Sequence, residues 1–171
     1  MQDSSVTLVI GGARSGKSRY AQHRAESHDG ALLYLATAQA FDDEMADRIA
    51  RHRADRGPRW RTIDCPIDLP DAIRRNATGR HVLLVDCLTL WATNLLLGGA
   101  DIDLATDDLI AALAASPCAV ILVTNEVGMG IVPDNPLARQ FRDIAGRLNQ
   151  RVAACAPSVV LMVAGIAMTV K

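Results

Sequence analysis

Five short apolar runs punctuate the chain, at residues 6–10, 31–36, 82–87, 119–124 and 159–163. Each is four to eight residues of mostly aliphatic side chains with little alternation, the pattern of strands buried on both faces. Between them the apolar positions return at helical spacing. The clearest case is residues 136–155, where Leu137, Phe141, Ile144, Leu148 and Val152 fall on one stripe. Residues 18–26 and 42–56 also read as helices, Gly98-Gly99-Ala100-Asp101 as a loop, and residues 168–171 as a short edge strand. Strands alternating with helices predict an α/β fold, a mostly parallel sheet with helices on both faces. With 171 residues and no internal repeat or linker, a single domain spanning 1–171 is expected.

In such a sheet ligands lie beyond the carboxyl ends of the strands. That rule nominates the residues just after each apolar run. After the first comes Gly11-Gly12-Ala13-Arg14-Ser15-Gly16-Lys17-Ser18, which fits the phosphate-binding P-loop. Its glycines let backbone N–H groups converge on one anion, and the next helix adds unpaired donors and partial positive charge. Lys17 is expected to reach the β and γ phosphates and Ser18 to hold Mg²⁺. Thr37 and Ala38 come after the second run. Asp86 closes Val82-Leu83-Leu84-Val85-Asp86, an apolar strand ending in an acid, and is read as a second Mg²⁺ ligand; an ordinary helix N-cap or a solvated loop acid is the alternative. Asn125 and Glu126 end the fourth run. They are candidates for orienting an acceptor hydroxyl, or turn residues before Gly128 and Gly130.

The predicted helix at 42–56 opens on Asp42-Asp43-Glu44, which suits a helix start. Met45 and Ile49 supply an apolar stripe, and one face reads Arg48, His52, Arg56. Two guanidiniums beside an imidazole hold phosphate oxygens and favour the neutral, nucleophilic ring, so His52 can form a covalent phosphoramidate. Spacing alone favours the plainer reading, a solvated histidine on a basic helix. His23, His28 and His81 have no comparable setting.

Composition narrows the class. Net charge is −1, from 18 basic and 19 acidic residues, and aromatics make up 4% of the chain. Neither a basic nucleic-acid face nor a stacking platform is expected. The start lacks a basic secretory region and no apolar run reaches membrane-spanning length, so a cytoplasmic protein without membrane insertion is expected. Cys65, Cys87, Cys118 and Cys155 are scattered, which reads as reduced, mostly packed thiols rather than a metal site.

Taken together, these residues resemble the bifunctional adenosylcobinamide kinase / adenosylcobinamide-phosphate guanylyltransferase family of cobalamin biosynthesis. The resemblance spans nearly the whole chain. It rests on the 11–18 loop, Tyr34-Leu35-Ala36-Thr37-Ala38, Arg48-Ile49 with His52, Arg56 and Trp60-Arg61-Thr62, and Asp86-Cys87-Leu88-Thr89. The long stretches 123–133 and 141–150 match as well. It implies a RecA-like P-loop fold, a homotrimer and two reactions. A nucleoside triphosphate, ATP or GTP, phosphorylates adenosylcobinamide; GMP from GTP is then transferred to adenosylcobinamide phosphate through a guanylyl-histidine at His52. It also implies GTP contacts from Gly11 through Ser18, from Ala36, Thr37 and Ala38, from Arg53, Ala54, Asp55 and Arg56, and from Asp64 and Asp86. Asp64 stands where the family usually carries glutamate, one methylene longer. A monofunctional P-loop kinase and a RecA-type ATPase are the rival readings.

Overall fold

Aliphatic, β-branched runs form strands when both faces find cover, and here both do. A computed structural model describes residues 5–40, 47, 50 and 56–171. Its strands are β1 (Val6–Gly11), β2 (Ala31–Ala36), β3 (Trp60–Asp64), β4 (His81–Asp86), β5 (Ala119–Asn125), β6 (Ser158–Val163) and β7 (Ile166–Thr169). The helices of eight residues or more are α1 (Lys17–Glu26), α2 (Leu69–Asn76), α3 (Leu88–Leu97), α4 (Ile102–Ala114) and α5 (Pro136–Cys155). One sheet runs β3-β2-β4-β5-β1-β6-β7. All neighbours pair parallel except β6 with β7.

The alternation of strand side chains divides the interior into two layers. Leu8, Leu33, Leu83, Val85, Val120 and Leu122 face α2, α3, α4 and α5, meeting Ile73, Trp91, Leu109 and Leu148. Val9, Leu32, Val82, Leu84 and Ile121 face the other way and meet Ala21 and Ala25 of α1. Helices therefore cover both faces, as the alternation of elements predicts. The helix starts obey local chemistry. Asn135 accepts from the Leu137 and Ala138 N–H groups with Pro136 in the first turn. Asp101 accepts from Leu104 N–H. The 98–101 loop falls between α3 and α4 as expected.

Three boundaries differ from the sequence expectation. β3 is not among the expected strands: it is an edge strand, its side chains half-buried or exposed, and Trp60-Arg61-Thr62-Ile63-Asp64 has no continuous apolar run. The third run ends at Asp86, because Cys87 leaves the strand to become the capping residue of α3. The terminal edge strand starts at Ile166 rather than at 168. Ala164 and Gly165 adopt positive φ (50° and 81°) and reverse the chain immediately after β6. Among the described residues no helix is long and apolar enough to cross a membrane.

Candidate functional site

Parallel strands deliver their last residues to one edge, and register decides which of them stand abreast. Ala36 pairs with Asp64 on one side and with Asp86 on the other. Gly11 pairs with Asn125. Residues separated widely in sequence thus end side by side, along the edge from which the phosphate loop departs.

The loop is tightly packed. A Cβ on Gly11 would lie 2.5 Å from Ser15 Oγ and 2.8 Å from the Met162 carbonyl oxygen, so only glycine fits. Gly16 has φ 91°, which favours glycine, and it caps α1. The turn after β6 braces the loop from outside, where Gly165 N–H donates to the Ser15 carbonyl at 3.0 Å. Glu126 N–H donates to the Gly11 carbonyl at 2.9 Å and ties β5 to the loop entrance. Lys17 is buried, and its Nζ donates to the Gly12 carbonyl at 2.8 Å, which holds the ammonium against the loop. Ser15 Oγ is the one buried side-chain polar atom among the described residues without a hydrogen-bond partner. A buried hydroxyl with no acceptor inside a cationic loop suits an anion's oxygen.

Asp86 is not a helix cap: that position belongs to Cys87. The half-buried Asp86 instead acts electrostatically on the Tyr34 phenol. Burial first, and the Asp86 carboxylate second, push the Tyr34 phenol far above its ordinary range, so it stays protonated at neutral pH. The Arg56 guanidinium stacks over the Tyr34 ring, 3.5 Å from its centroid. Arg56 Nη2 also donates to Thr62 Oγ1 at 3.4 Å, and Trp60 meets the Tyr34 ring edge-on at 6.3 Å between centroids. Tyr34 belongs to the stretch that carries the sequence resemblance, yet sequence reasoning assigns it no role. The available signal is a hydroxylated aromatic inside an otherwise aliphatic strand.

The Thr37 side chain is engaged within the protein. It is fully buried; its hydroxyl donates to the Cys87 carbonyl and accepts from Cys87 N–H, both at 2.8 Å. Asn94 of α3 donates to the Thr37 carbonyl at 2.8 Å and to the Pro66 carbonyl at 3.0 Å. This clamp fixes where β2 and β4 end. A second buried network fixes the end of β5. Thr124 Oγ1 donates to Asn149 Oδ1 at 2.7 Å, Asn149 Nδ2 to the Asn125 carbonyl at 3.2 Å, and Asn125 N–H to Thr89 Oγ1 at 2.7 Å. Beyond it the Glu126 carboxylate accepts from Gly128 N–H, so the turn chemistry expected before the glycines is present.

Arg48, His52, Arg53, Ala54 and Asp55 lie outside the described residues, as do Asp42, Asp43, Glu44, Met45 and Ile49. Asp47 and Ala50 of that stretch are helical and exposed. Asp64 ends β3 and is exposed. Ala36 is buried and Ala38 half-buried. Among the described residues no three His, Cys, Asp or Glu side chains gather into a metal cluster. A hydroxyl and a carboxylate of the Ser18 and Asp86 kind nevertheless suit Mg²⁺, which takes few protein oxygens and completes its shell with water and phosphate. The cysteines form no disulfide, and Cys65, Cys87 and Cys118 are buried.

Comparison with known proteins agrees with this geometry. A sequence profile described as cobinamide kinase / cobinamide phosphate guanyltransferase matches residues 7–170. The chain is 49% identical over 181 aligned positions to the bifunctional adenosylcobalamin biosynthesis protein CobU of Salmonella typhimurium, covering 97% of this chain and 99% of that protein. Among solved structures the fold is similar to the flagellar accessory protein FlaH of Methanocaldococcus jannaschii, with TM-score 0.55, 12% identity, and coverage of 100% of this chain and 80% of that one. It is also similar to the ATPase EscN of the enteropathogenic E. coli type III secretion system, with TM-score 0.57, 10% identity, and coverage of 94% and 43%. These two likenesses concern the fold alone.

Proposed function

The chain belongs to the cobinamide kinase / cobinamide phosphate guanyltransferase family, and from that premise we propose that it phosphorylates adenosylcobinamide and then transfers GMP to the product. In the first reaction the acceptor alcohol oxygen attacks the γ-phosphorus of a nucleoside triphosphate, ATP or GTP. The bond to the nucleoside diphosphate breaks, and the hydroxyl proton passes to a carboxylate at the strand ends. In the second, an imidazole nitrogen of His52 attacks the α-phosphorus of GTP and pyrophosphate departs. The phosphate oxygen of adenosylcobinamide phosphate then attacks that phosphorus, the N–P bond breaks, and adenosylcobinamide-GDP is released with His52 restored.

Residues 11–18 cradle the departing phosphates in both reactions. Lys17 and the loop amides stabilise the charge that gathers there. Ser18 and Asp86 would hold Mg²⁺, which when bound neutralises phosphate charge. Residues Ala36, Thr37 and Ala38, Arg53 through Arg56, and Asp64 line the nucleotide in this reading, with Thr37, whose hydroxyl is engaged with Cys87, holding the turn in place. The reading carries a cytoplasmic homotrimer with it. Ile166, Met168 and Val170, exposed along the outer strand, are the kind of surface a subunit contact covers.

The observation that carries the guanylyl-histidine is Arg56. It lies four positions after His52 in the chain and is stacked on Tyr34, the residue of β2 whose phenol feels the Asp86 carboxylate. A purely solvated basic segment has no reason to seat a cation on the ring of Tyr34, one strand away from Asp86. The test is incubation with Mg²⁺ and GTP labelled at the α-phosphate, without corrinoid. Acid-labile, base-stable label on the protein is expected, lost in His52→Ala and absent with γ-labelled GTP. An unlabelled wild-type protein refutes the guanylyl-histidine.

A further inference from the structure

A cavity of about 300 Å³ opens at the carboxyl edge of the sheet, on the face opposite α1. Its floor is Ile10, the residue immediately before the phosphate loop. Its rim is the turn Glu126-Val127-Gly128, and its far wall is Gly146 and Asn149 of α5. We propose that this cavity receives the hydroxyl-bearing arm of the acceptor, with Glu126 as the carboxylate that takes the hydrogen bond of the reacting alcohol. The proposal rests on the kinase reading above and assigns its second substrate a place.

Three observations converge on it. The first is Gly146. It sits in the middle of a twenty-residue helix, where glycine is destabilising relative to alanine. Nothing about the backbone requires it: its φ is not among the positive ones, and a Cβ built there meets no atom within 4 Å. The absent side chain leaves space, and that space is the cavity. A helix glycine that neither turns the chain nor admits a neighbour is accounted for when something outside the chain occupies the gap.

The second is position. Glu126 N–H is bonded to the Gly11 carbonyl at 2.9 Å, so the rim is one hydrogen bond from the loop. The candidate nucleotide residues Ala36, Asp64 and Asp86 stand on β2, β3 and β4. The cavity stands on the other flank, between β5, β1 and α5. Phosphoryl transfer needs the attacking oxygen in line with the leaving one, so the acceptor must enter across the loop from the nucleotide.

The third is chemistry and size. The wall mixes apolar Ile10 and Val127 with the amide of Asn149 and the carboxylate of Glu126, a lining for a short chain bearing an amide and an alcohol. The buried network through Thr124 and Asn125 fixes the Asn149 amide, and Gly128 N–H donates to the Glu126 carboxylate. The cavity is too small for a corrin macrocycle. That part of the acceptor stays outside, where Val127 of the rim and Met129, Ile131 and Val132 of the segment that follows it are exposed.

The test is Gly146→Leu in the full chain, with Gly146→Ala as the milder variant. Binding of adenosylcobinamide is measured by equilibrium dialysis, tracked through the corrinoid's own visible absorbance, which needs no turnover. Expected are a dissociation constant at least about tenfold weaker for leucine, a smaller loss for alanine, and a melting temperature unchanged or higher. GMP labelling from α-labelled GTP, which uses no acceptor, proceeds in the wild type and both variants. Equal corrinoid affinity in wild type and Gly146→Leu overturns the proposal. So does a wild-type protein that takes GMP label yet binds no corrinoid. Absence of label from the wild type strikes instead at the guanylyl-histidine and leaves the binding comparison standing.

Discussion

Replacing Thr37 by valine preserves shape and removes one hydroxyl that does two jobs. That hydroxyl is fully buried, donates to the Cys87 carbonyl and accepts from Cys87 N–H, each at 2.8 Å. The carbonyl keeps a partner in Trp91 N–H at 3.2 Å, so its loss is that of one bond among two. The Cys87 N–H loses the acceptor it uses, in a place water does not reach. Stranding a buried donor costs about 1–3 kcal/mol, and the second bond about 1 kcal/mol more. The valine methyl recovers part of this by dispensing with a desolvated hydroxyl, leaving a net loss of about 2–3 kcal/mol. That is a large fraction of the roughly 5–15 kcal/mol by which domains are stable. With a urea slope of about 2 kcal/mol/M, the unfolding midpoint falls by about 1–1.5 M. Thr37→Ser retains the hydroxyl, gives up one methyl group and costs about 1 kcal/mol. The readout is a pair of urea titrations monitored by far-ultraviolet circular dichroism. A valine variant no less stable than the serine variant would refute the clamp.

Two further outcomes are expected of the same region. Tyr34→Phe keeps the ring under Arg56 and removes the phenol that interacts with Asp86, so the Mg²⁺ concentration for half-maximal GMP labelling rises about fivefold, the worth of a polar interaction of roughly 1 kcal/mol; superimposable Mg²⁺ curves would refute it. Burial pushes the Cys65 thiol up to about 12 and the Cys87 thiol up to about 11 and raises Cys118 and Cys155 as well, but Cys155 alone of the four is exposed to a reagent. At pH 8 a thiolate-specific reagent therefore modifies Cys155 alone in the native protein and every cysteine after unfolding; rapid uptake of a second equivalent by the native protein contradicts the packing.

How far the sequence could be read depended on whether a residue's role was set by its neighbours in the chain or by its neighbours in space. The interior parallel strands are self-announcing, because burial on both faces demands continuous apolar runs; β5 is buried through its first six residues. The phosphate loop is legible for a similar reason, since its glycines answer local constraints such as φ 91° at Gly16. β3 was not legible. An edge strand has cover on one side only, and its role depends on Glu26 of α1, which accepts from Trp60 Nε1 at 2.9 Å. Thr37 was legible as a residue at the ligand edge, but its side-chain direction is set by Cys87, fifty residues away. The interior glycine of α5 was a visible irregularity in a clear helical pattern, and only the space beside it shows what the irregularity does.

Two displacements at different phosphorus atoms are easier to reconcile with one loop once the sheet order is considered. β1 is not an edge strand: it lies between β5 and β6, so the loop it launches can be approached from either side. On the β2–β4 side stand Asp86, Tyr34 and Arg56, the last of them four positions after the proposed guanylyl carrier in the chain. On the β5–α5 side stand Glu126 and the cavity. Both flanks are fixed by buried networks rather than by exposed loops: Thr37, Cys87 and Asn94 on one, Thr124, Asn149 and Thr89 on the other. A nucleotide anchored by its phosphates at a central loop presents its α-phosphorus and its terminal phosphorus at different depths along one line. Rigid flanks on opposite sides of that line let each phosphorus meet its own nucleophile without the loop itself rearranging. The cost is borne by stability, in a mid-helix glycine and in buried polar networks that must be fully satisfied to be tolerated.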